Sequence, residues 1–164
     1  MTSDPPFGGR AAAAGFATDG QPSGKDLNET RPVATVGAII ESPGGEILLI
    51  RTHKWRGRLG LPGGKIERGE TQEQALRREL REETGLEVRD VRFLMVQDCI
   101  DSPEFYRPMH MLLLNYHCKV DGTDVRLNDE AESYLWAAPS DALRLDLNEP
   151  TRTLILRFLE PSDR

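Results

Sequence analysis

The sequence has few cysteines and no long apolar run, and each shortage excludes a kind of protein. Its two cysteines, Cys99 and Cys118, lie in apolar stretches without the spacing of metal ligands. We interpret both as small core residues rather than a disulfide or a redox pair, which favours a reducing compartment and predicts a cytoplasmic protein. No apolar run approaches the roughly 18 residues that cross a bilayer, and no cationic cluster of the kind found in a secretory signal precedes the short stretch 11–17. We therefore expect no membrane as a partner.

Positive charge is also in short supply. The chain carries 21 Lys and Arg against 27 Asp and Glu, a formal net charge of -6. A nucleic-acid polymer is therefore not expected as a partner, because binding of a phosphate backbone depends on a surplus of Lys and Arg. An acidic protein still binds a small anion where a metal ion or a local basic cluster supplies positive charge. At 164 residues, the chain has room for one domain with a proper core.

The chain divides into a tail and one folded region. Residues 1–31 are mostly small or polar, and we predict a disordered tail because they bury too little apolar surface to offset the ordering entropy. A single domain then spans residues 32–160, with an α/β fold in which a mixed β-sheet is sandwiched between α-helices. Apolar patterning and turn residues predict strands at 33–40, 46–51, 91–96, 111–120 and 134–137, the first two forming a hairpin, and helices at 71–84, 141–145 and 149–159.

Three glutamates share one face of the predicted helix 71–84. At about 100° per residue, Glu79, Glu82 and Glu83 fall within an arc of about 100°. Leu76 and Leu80 lie beside them, so the acidic face borders the buried stripe, where repulsion between carboxylates is stronger. Crowded, hard oxygen ligands of this kind suit Mg²⁺ or Mn²⁺. Taken alone, the helix is equally consistent with a solvated acidic face paired to its own arginines.

A glycine-rich loop precedes this helix and favours the metal-binding interpretation. Gly63 and Gly64 let the backbone come close to a ligand and expose carbonyl and N–H groups. Glu70 can reach back toward Arg78, at the edge of the acidic arc, so an ion pair would clamp the loop to the helix. Taken alone, the two glycines are typical of a plain turn.

Together these residues resemble the Nudix hydrolase family. The family's box is written G-x5-E-x7-R-E-U-x-E-E-x-G-U, with U a bulky apolar residue, and residues 64–86 read GKIERGETQEQALRRELREETGL. Every defined position matches, and nine matches over 23 residues do not arise readily by chance. The likeness extends to the later segment DEAESYLW at 129–136 and covers roughly residues 32–159.

The resemblance implies a fold, a metal and a reaction. The fold is the helix–sheet–helix sandwich already expected, with the box at the edge of the sheet. The reaction is metal-dependent cleavage of a phosphoanhydride bond, in which the metal neutralises charge and activates water. The metal is Mg²⁺, with Mn²⁺ as a substitute. The implied ligands are the side chains of Glu79, Glu82 and Glu83 and the backbone carbonyl of Gly63.

The same resemblance implies which residues do chemistry and which hold the site. Glu82 and Glu79 are the implied catalytic residues, and Glu82 is the first candidate for the general base that takes the proton of water. Family members also place this base on a later loop, which here offers Glu130 or Glu132. Glu70 and its arginine partner would form a structural clamp without taking part in the reaction.

Basic residues cluster just before the glycine loop, where they can hold phosphates. Five basic or potentially basic side chains lie between Arg51 and Arg58. The candidate substrate-binding residues are Arg51, Lys54, Arg58 and Glu130, although a solubilising surface loop explains the cluster equally well. Trp55, Phe105 and Tyr106 lie in loop-like segments where an aromatic ring can stack on a base.

The expected substrate is a small nucleotide diphosphate. The sequence is also compatible with a homodimer. Certain residues downstream of the box mark family subgroups, and two residues here lie near those positions but not at them. Pro103 is close to the proline position of ADP-ribose pyrophosphatases, and Tyr106 is close to the tyrosine position of diadenosine polyphosphate hydrolases. We favour a nucleoside diphosphate linked to another moiety, such as ADP-ribose or a nucleotide sugar. The alternative is a nucleoside triphosphate pyrophosphatase that cleans the nucleotide pool. From another class, the alternative is a non-catalytic nucleotide-binding regulator of Nudix fold.

Overall fold

The computed structural model describes residues 31–161. The predicted tail lies outside the described residues except for Arg31, so its disorder stays a prediction. Every predicted strand and helix is present, together with two short strands inside the glycine-rich segment. The elements of this region are β1 Val33–Glu41, β2 Ile47–Thr52, a 3-10 helix His53–Trp55, β3 Leu59–Gly60, β4 Gly63–Lys65, α1 Gln72–Thr84, β5 Arg89–Ile100, β6 His110–Lys119, β7 Ala131–Ala137, α2 Pro139–Ala142 and α3 Glu149–Leu159.

The strands form one mixed sheet, as predicted. Its main path runs β3-β2-β1-β6-β5, while β4 pairs with β1 and β7 pairs with β2. The central strands β1 and β6 are parallel, with Val33 opposite Met111 and Glu41 opposite Lys119. The remaining strand pairs are antiparallel. Apolar residues follow one another without alternation in β1 and β6 because both faces of the central sheet are covered.

The predicted hairpin between β1 and β2 is paired only at its turn. Glu41 lies opposite Ile47, and the Ser42 hydroxyl accepts hydrogen bonds from the turn amides. Beyond that point β2 diverges from β1, because β4 takes the adjacent edge and brings Gly63 opposite Gly37. This replacement places the glycine-rich loop beside the centre of the sheet.

Helix α1 covers one face of the sheet. Thr71 caps it through a reciprocal pair of hydrogen bonds with Gln74, and Gly85 ends it in the left-handed conformation, with φ 70°. Its apolar stripe, which includes Leu76 and Leu80, is fully buried against residues of β1, β2 and β6. These contacts fix the rotation of the helix and therefore the direction of its acidic face.

Helix α3 covers the opposite face, which completes the predicted sandwich. Leu154 and Ile155 are fully buried in a second core cluster that contains residues of β1 and β2. The Asn148 side chain caps this helix by accepting a hydrogen bond from Thr151 N at 2.9 Å. The predicted helix 141–145 is observed as α2, which starts earlier because Pro139 fits a first helical turn.

The structure shows where the two cysteines lie and how long and apolar its helices are. Cys99 and Cys118 are free and buried, as predicted. No helix within residues 31–161 is both long enough and apolar enough to cross a membrane.

Candidate metal-binding and active site

Glu83 is buried behind the glycine loop. Its side chain lies on the last turn of α1, and the residue is 4% exposed. The Gly63 amide donates a hydrogen bond of 2.7 Å to its Oε2 atom. Only glycine fits at position 63, since an added Cβ would lie 2.1 Å from the carbonyl oxygen of Val36. The close approach of β4 to β1 thus brings a backbone donor to the buried carboxylate.

Burial changes the acidity of Glu83. Loss of solvation raises the pKa of its carboxyl group to about 8, and the charge of Glu79 adds to the effect. The hydrogen bond from Gly63 and the charge of Lys54 oppose the shift without cancelling it. A carboxylate in this environment is stabilised by a cation, which would restore its ordinary charged form.

Glu79 reaches the cleft past Gly64. An added Cβ on Gly64 would lie 2.3 to 2.5 Å from the carboxylate atoms of Glu79, so the two residues share one space. Arg78 donates a hydrogen bond of 2.8 Å from Nη1 to Oε1 of Glu79. Burial raises the pKa of Glu79, although this arginine opposes the shift. Glu79 is the box glutamate that lines the cleft described below.

Glu82 differs from the other two glutamates because its side chain is 56% exposed. Its Oε2 lies 3.4 Å from Nη1 of Arg78, a looser contact than that of Glu79. Among residues 31–161 no group of three or more His, Cys, Asp or Glu side chains is arranged as a ready metal site. The donor set still fits a hard divalent cation, because three carboxylates share one helix face and two of them are partly or fully buried.

The ion pair between Glu70 and Arg78 is present and has two-point geometry. Arg78 donates from Nε to Oε1 at 2.6 Å and from Nη2 to Oε2 at 2.8 Å. The hydrogen bond from Arg78, followed by that from the Glu67 amide, lowers the pKa of Glu70 to about 2. Arg78 also donates to the carbonyl of Lys65 at 3.1 Å, so one side chain joins both ends of the loop to the helix.

A cleft of about 360 Å³ lies beside the box. Its floor comes from the central sheet, where Thr35 lies opposite Leu113 and Gly37 opposite Asn115. Its walls come from the glycine loop, the 3-10 helix, the β5–β6 connection and the start of α3. The wall residues include Lys54, Trp55, Gly63, Gly64, Lys65, Glu67, Glu79, Phe105, Tyr106, Arg107, Met109, Glu130, Asn148 and Thr151.

Lys54 and Glu130 pair within this cleft although 76 residues separate them. Lys54 Nζ lies 2.7 Å from Oε2 of Glu130. Burial alone would lower the pKa of Lys54, but the hydrogen bond with Glu130 and the charges of Glu83 and Glu79 raise it. The charge of Glu130 therefore acts on Glu79 and Glu83, and the charge of Lys54 acts on Glu83. That Lys54 and Glu130 bind substrate stays a prediction.

Two other candidate substrate-binding residues do not line the cleft. Arg51 donates a hydrogen bond to the carbonyl of Gly57, within its own turn. Arg58 pairs with Asp146 at 2.7 Å and with Glu104 at 3.6 Å, so it fastens loops together. The basic cluster is thus largely structural, with Lys54 as its member in the cleft. Glu132 pairs with His53 at 2.8 Å and is not part of the lining.

Sequence reasoning missed several polar residues of the cleft. Asn115 interrupts an apolar strand, and this break in the pattern was the available signal. Asn148 and Thr151 carry the cap of α3 and had no separate signal of a site. Arg107 stands in a loop without periodicity, and only the tertiary structure brings it to the cleft.

Comparisons with known proteins agree with this geometry. The NUDIX domain family model matches residues 31–158. The nucleoside triphosphatase NudI of Escherichia coli O81 (strain ED1a) is 36% identical over 110 residues, which are 63% of this chain and 78% of that protein. Among solved structures, the MutT NUDIX hydrolase from Burkholderia pseudomallei superposes with a TM-score of 0.67 at 31% identity, covering 77% of this chain and 98% of that one. The ORF135 protein of E. coli superposes with a TM-score of 0.65 at 29% identity, covering 84% and 99%.

Proposed function

Because this chain belongs to the Nudix hydrolase family, we propose that it hydrolyses nucleoside triphosphates to nucleoside monophosphates and pyrophosphate. That it is a Nudix-type pyrophosphohydrolase follows from the family and from relatives named as hydrolases. The triphosphate is supported by the relative named a nucleoside triphosphatase. A non-catalytic regulator, the alternative from another class, gains no support from these relatives.

The observation that carries the proposal is the position of Glu79. Its carboxylate lies between Gly64 and Arg78, at the wall of a cleft large enough for a small ligand. Lys54 and Lys65 line the same cleft and offer positive charge to a polyphosphate. Glu79 and these two cations therefore line one cleft.

Mg²⁺ is the proposed cofactor, with Mn²⁺ as a substitute. Glu79, Glu82 and Glu83 would hold it, together with the backbone carbonyl of Gly63. A divalent ion bound there supplies neutralisation of phosphate charge and a water molecule of lowered pKa. The buried Glu83 supports this proposal, since the group that donates to its Oε2 is the neutral amide of Gly63. The clamp of Glu70 and Arg78 would keep the loop in register with these ligands.

Glu82 is the proposed general base, and Glu79 is the alternative. Glu79 accepts a close hydrogen bond from Arg78, and Glu83 accepts one from Gly63. The carboxylate of Glu82 is the least engaged of the three, which supports a role in accepting a proton from water. Glu79 remains the alternative because it lines the cleft.

A nucleoside diphosphate linked to another moiety, such as ADP-ribose or a nucleotide sugar, is the second candidate substrate. The mixed character of the lining favours it, because Trp55, Phe105 and Met109 offer apolar surface for a second ring or sugar. Both candidates place a diphosphate at the box glutamates and differ in what lies beyond it.

The test is a product assay on the full chain with Mg²⁺. A panel of nucleoside triphosphates, ADP-ribose and nucleotide sugars would be resolved by anion-exchange chromatography. Release of pyrophosphate and nucleoside monophosphate from triphosphates is expected, with loss of activity in EDTA and in Glu83→Gln. Arg144→Gln, at an exposed position outside the cleft, is the matched control. Turnover of ADP-ribose or nucleotide sugars alone would replace the first candidate with the second.

A further inference from the structure

Arg107 is a partly buried cation in the cleft wall whose Nε has no acceptor within residues 31–161. That nitrogen is itself shielded, but the residue lines the cleft and its guanidinium makes no hydrogen bond within residues 31–161. An acceptor on the ligand would pair with its terminal nitrogens, because donors without a partner are costly to bury. Other partly buried arginines of the described region have hydrogen-bond partners, namely Arg51, Arg58, Arg77, Arg78 and Arg152.

The guanidinium of Arg107 is held in place before any ligand binds. Its Cζ lies 5.4 Å from the ring centroid of Tyr106, a cation–π contact. The loop that carries it is tied to neighbouring segments by three hydrogen bonds: Tyr106 N to Lys54 O at 2.8 Å, Arg56 Nε to Phe105 O at 3.2 Å, and Glu149 N to Glu104 Oε2 at 2.8 Å. Such anchoring reduces the ordering entropy lost on binding.

The surroundings of Arg107 suit a nucleobase better than a phosphate. Trp55 and Phe105 pack edge to face, with ring centroids 4.8 Å apart. Phe105, Met109 and Met111 belong to one apolar cluster that borders the cleft. A base has apolar faces and a polar edge, so an apolar part of the cleft wall beside a guanidinium matches its chemistry.

We propose that Arg107 reads the exocyclic group at position 6 of a purine or position 4 of a pyrimidine. It selects guanine and uracil, which carry a carbonyl oxygen there, over adenine and cytosine, which carry an amino group. This inference rests on the proposed hydrolysis of nucleoside triphosphates. A guanidinium has donors only. It pairs with O6 of guanine or O4 of uracil, whereas N6 of adenine and N4 of cytosine are donors and do not accept a hydrogen bond from it.

The test measures kcat and KM for GTP, ATP, UTP and CTP. GTP against ATP, and UTP against CTP, are matched in ring size. The UTP/CTP ratio reports the carbonyl-for-amino exchange, and the GTP/ATP ratio reports it together with the 2-amino group of guanine. The wild-type protein is expected to favour the carbonyl base in both pairs by roughly tenfold or more in kcat/KM. Arg107→Gln is expected to bring both ratios close to one by raising KM for GTP and UTP, with kcat retained. Arg144→Gln, which removes an exposed charge outside the cleft, should keep the wild-type ratios.

Several outcomes would overturn the inference. One is an equal loss for all four nucleotides in Arg107→Gln, which would indicate contact with the shared ribose or phosphates. Others are unchanged ratios in that variant, or a wild-type protein without the carbonyl preference. Arg107→Met removes every donor at a similar side-chain length, so it tests the same point if the Gln variant fails to fold.

A binding measurement separates this inference from the proposed function. Calorimetric titration with GMP, AMP, UMP and CMP reports base selection without hydrolysis. A wild-type protein that cleaves no triphosphate, but binds GMP and UMP more tightly through Arg107, contradicts the proposed function and supports the inference. Cleavage of triphosphates with equal binding of all four monophosphates supports the function and overturns the inference.

Discussion

An added Cβ on Gly64 would lie 2.3 Å from Cδ of Glu79, so the glycine and the glutamate occupy one shared space. Gly64 does not have a positive φ. It is therefore needed for the absence of a side chain and not for an unusual backbone conformation. Helix α1 covers one face of the sheet and the cleft lies on the other. The Glu79 carboxylate therefore reaches the cleft through the space that a side chain at position 64 would fill. The box thus has glycine at this position because any side chain there would collide with the glutamate carboxylate.

Gly64→Ala is expected to reduce activity by roughly a hundredfold, because a displacement of about 1 Å in a positioned group has an effect of that size. The added methyl group must push the Glu79 carboxylate aside. Steady-state rates and a Mn²⁺ titration by electron paramagnetic resonance would measure the loss. Gly122→Ala is the matched control, since an added Cβ there meets nothing within 4 Å. Equal effects of the two changes would remove the steric explanation.

Glu83→Gln is expected to change how the stability of the metal-free protein depends on pH. The folded pKa of Glu83, about 8, lies above the ordinary value of 4.5 for a glutamate carboxyl group. The folded state therefore holds a proton that the unfolded state has released, and stability falls as pH rises from about 4.5 to 8. The glutamine variant lacks this slope and should melt at a higher temperature than the wild type at pH 8 in EDTA. Parallel melting curves from pH 5 to 8 would contradict the buried-carboxyl explanation.

Glu70→Gln is expected to lower activity by roughly a hundredfold while metal affinity is largely kept, because Glu70 positions the loop and is not a proposed ligand. A Mn²⁺ titration would be run beside Glu83→Gln, which should lose metal. The folded pKa of Glu70, about 2, lies below the ordinary value of 4.5 for a glutamate carboxyl group. Its stabilising contribution is therefore present above about 4.5 and is lost as pH falls toward 2. Loss of metal as complete as in Glu83→Gln would make Glu70 a ligand.

Glu82→Gln distinguishes the two candidates for the general base. Both carboxylates are proposed metal ligands, so both variants should weaken Mn²⁺ binding, and their rates are compared at saturating Mn²⁺. If Glu82 takes the proton of water, kcat should fall by roughly 10² to 10⁴ in Glu82→Gln and by less in Glu79→Gln. The reverse order of the two losses would assign the base to Glu79.

Removal of residues 1–29, so that the chain starts near Thr30, is expected to leave the melting temperature and the rate unchanged. The reason is that these residues contain few bulky apolar side chains. Differential scanning calorimetry and the product assay would compare the shortened and full chains. A drop of several degrees in melting temperature, or a clear loss of rate, would mean that the tail packs on the domain or covers the cleft.

The sequence by itself determined the local parts of this protein. The bounds of α1 followed from Thr71 and Gly85, because capping depends on residues within a single turn. The shared face of the box glutamates followed from helical periodicity, and the family followed from the spacing of the box. The Glu70–Arg78 pair was also within reach, because it spans only a loop and two helical turns.

Only the tertiary structure decided which side chains meet at the cleft and which are buried. Glu83 and Glu82 are neighbours with the same formula, yet one is 4% exposed and the other has a side chain 56% exposed, because β4 covers only one of them. The pair of Lys54 and Glu130, and the placement of Arg107, depend on contacts between segments far apart in the chain. No local pattern encodes such contacts, because they arise from how strands order and loops dock once the core has formed.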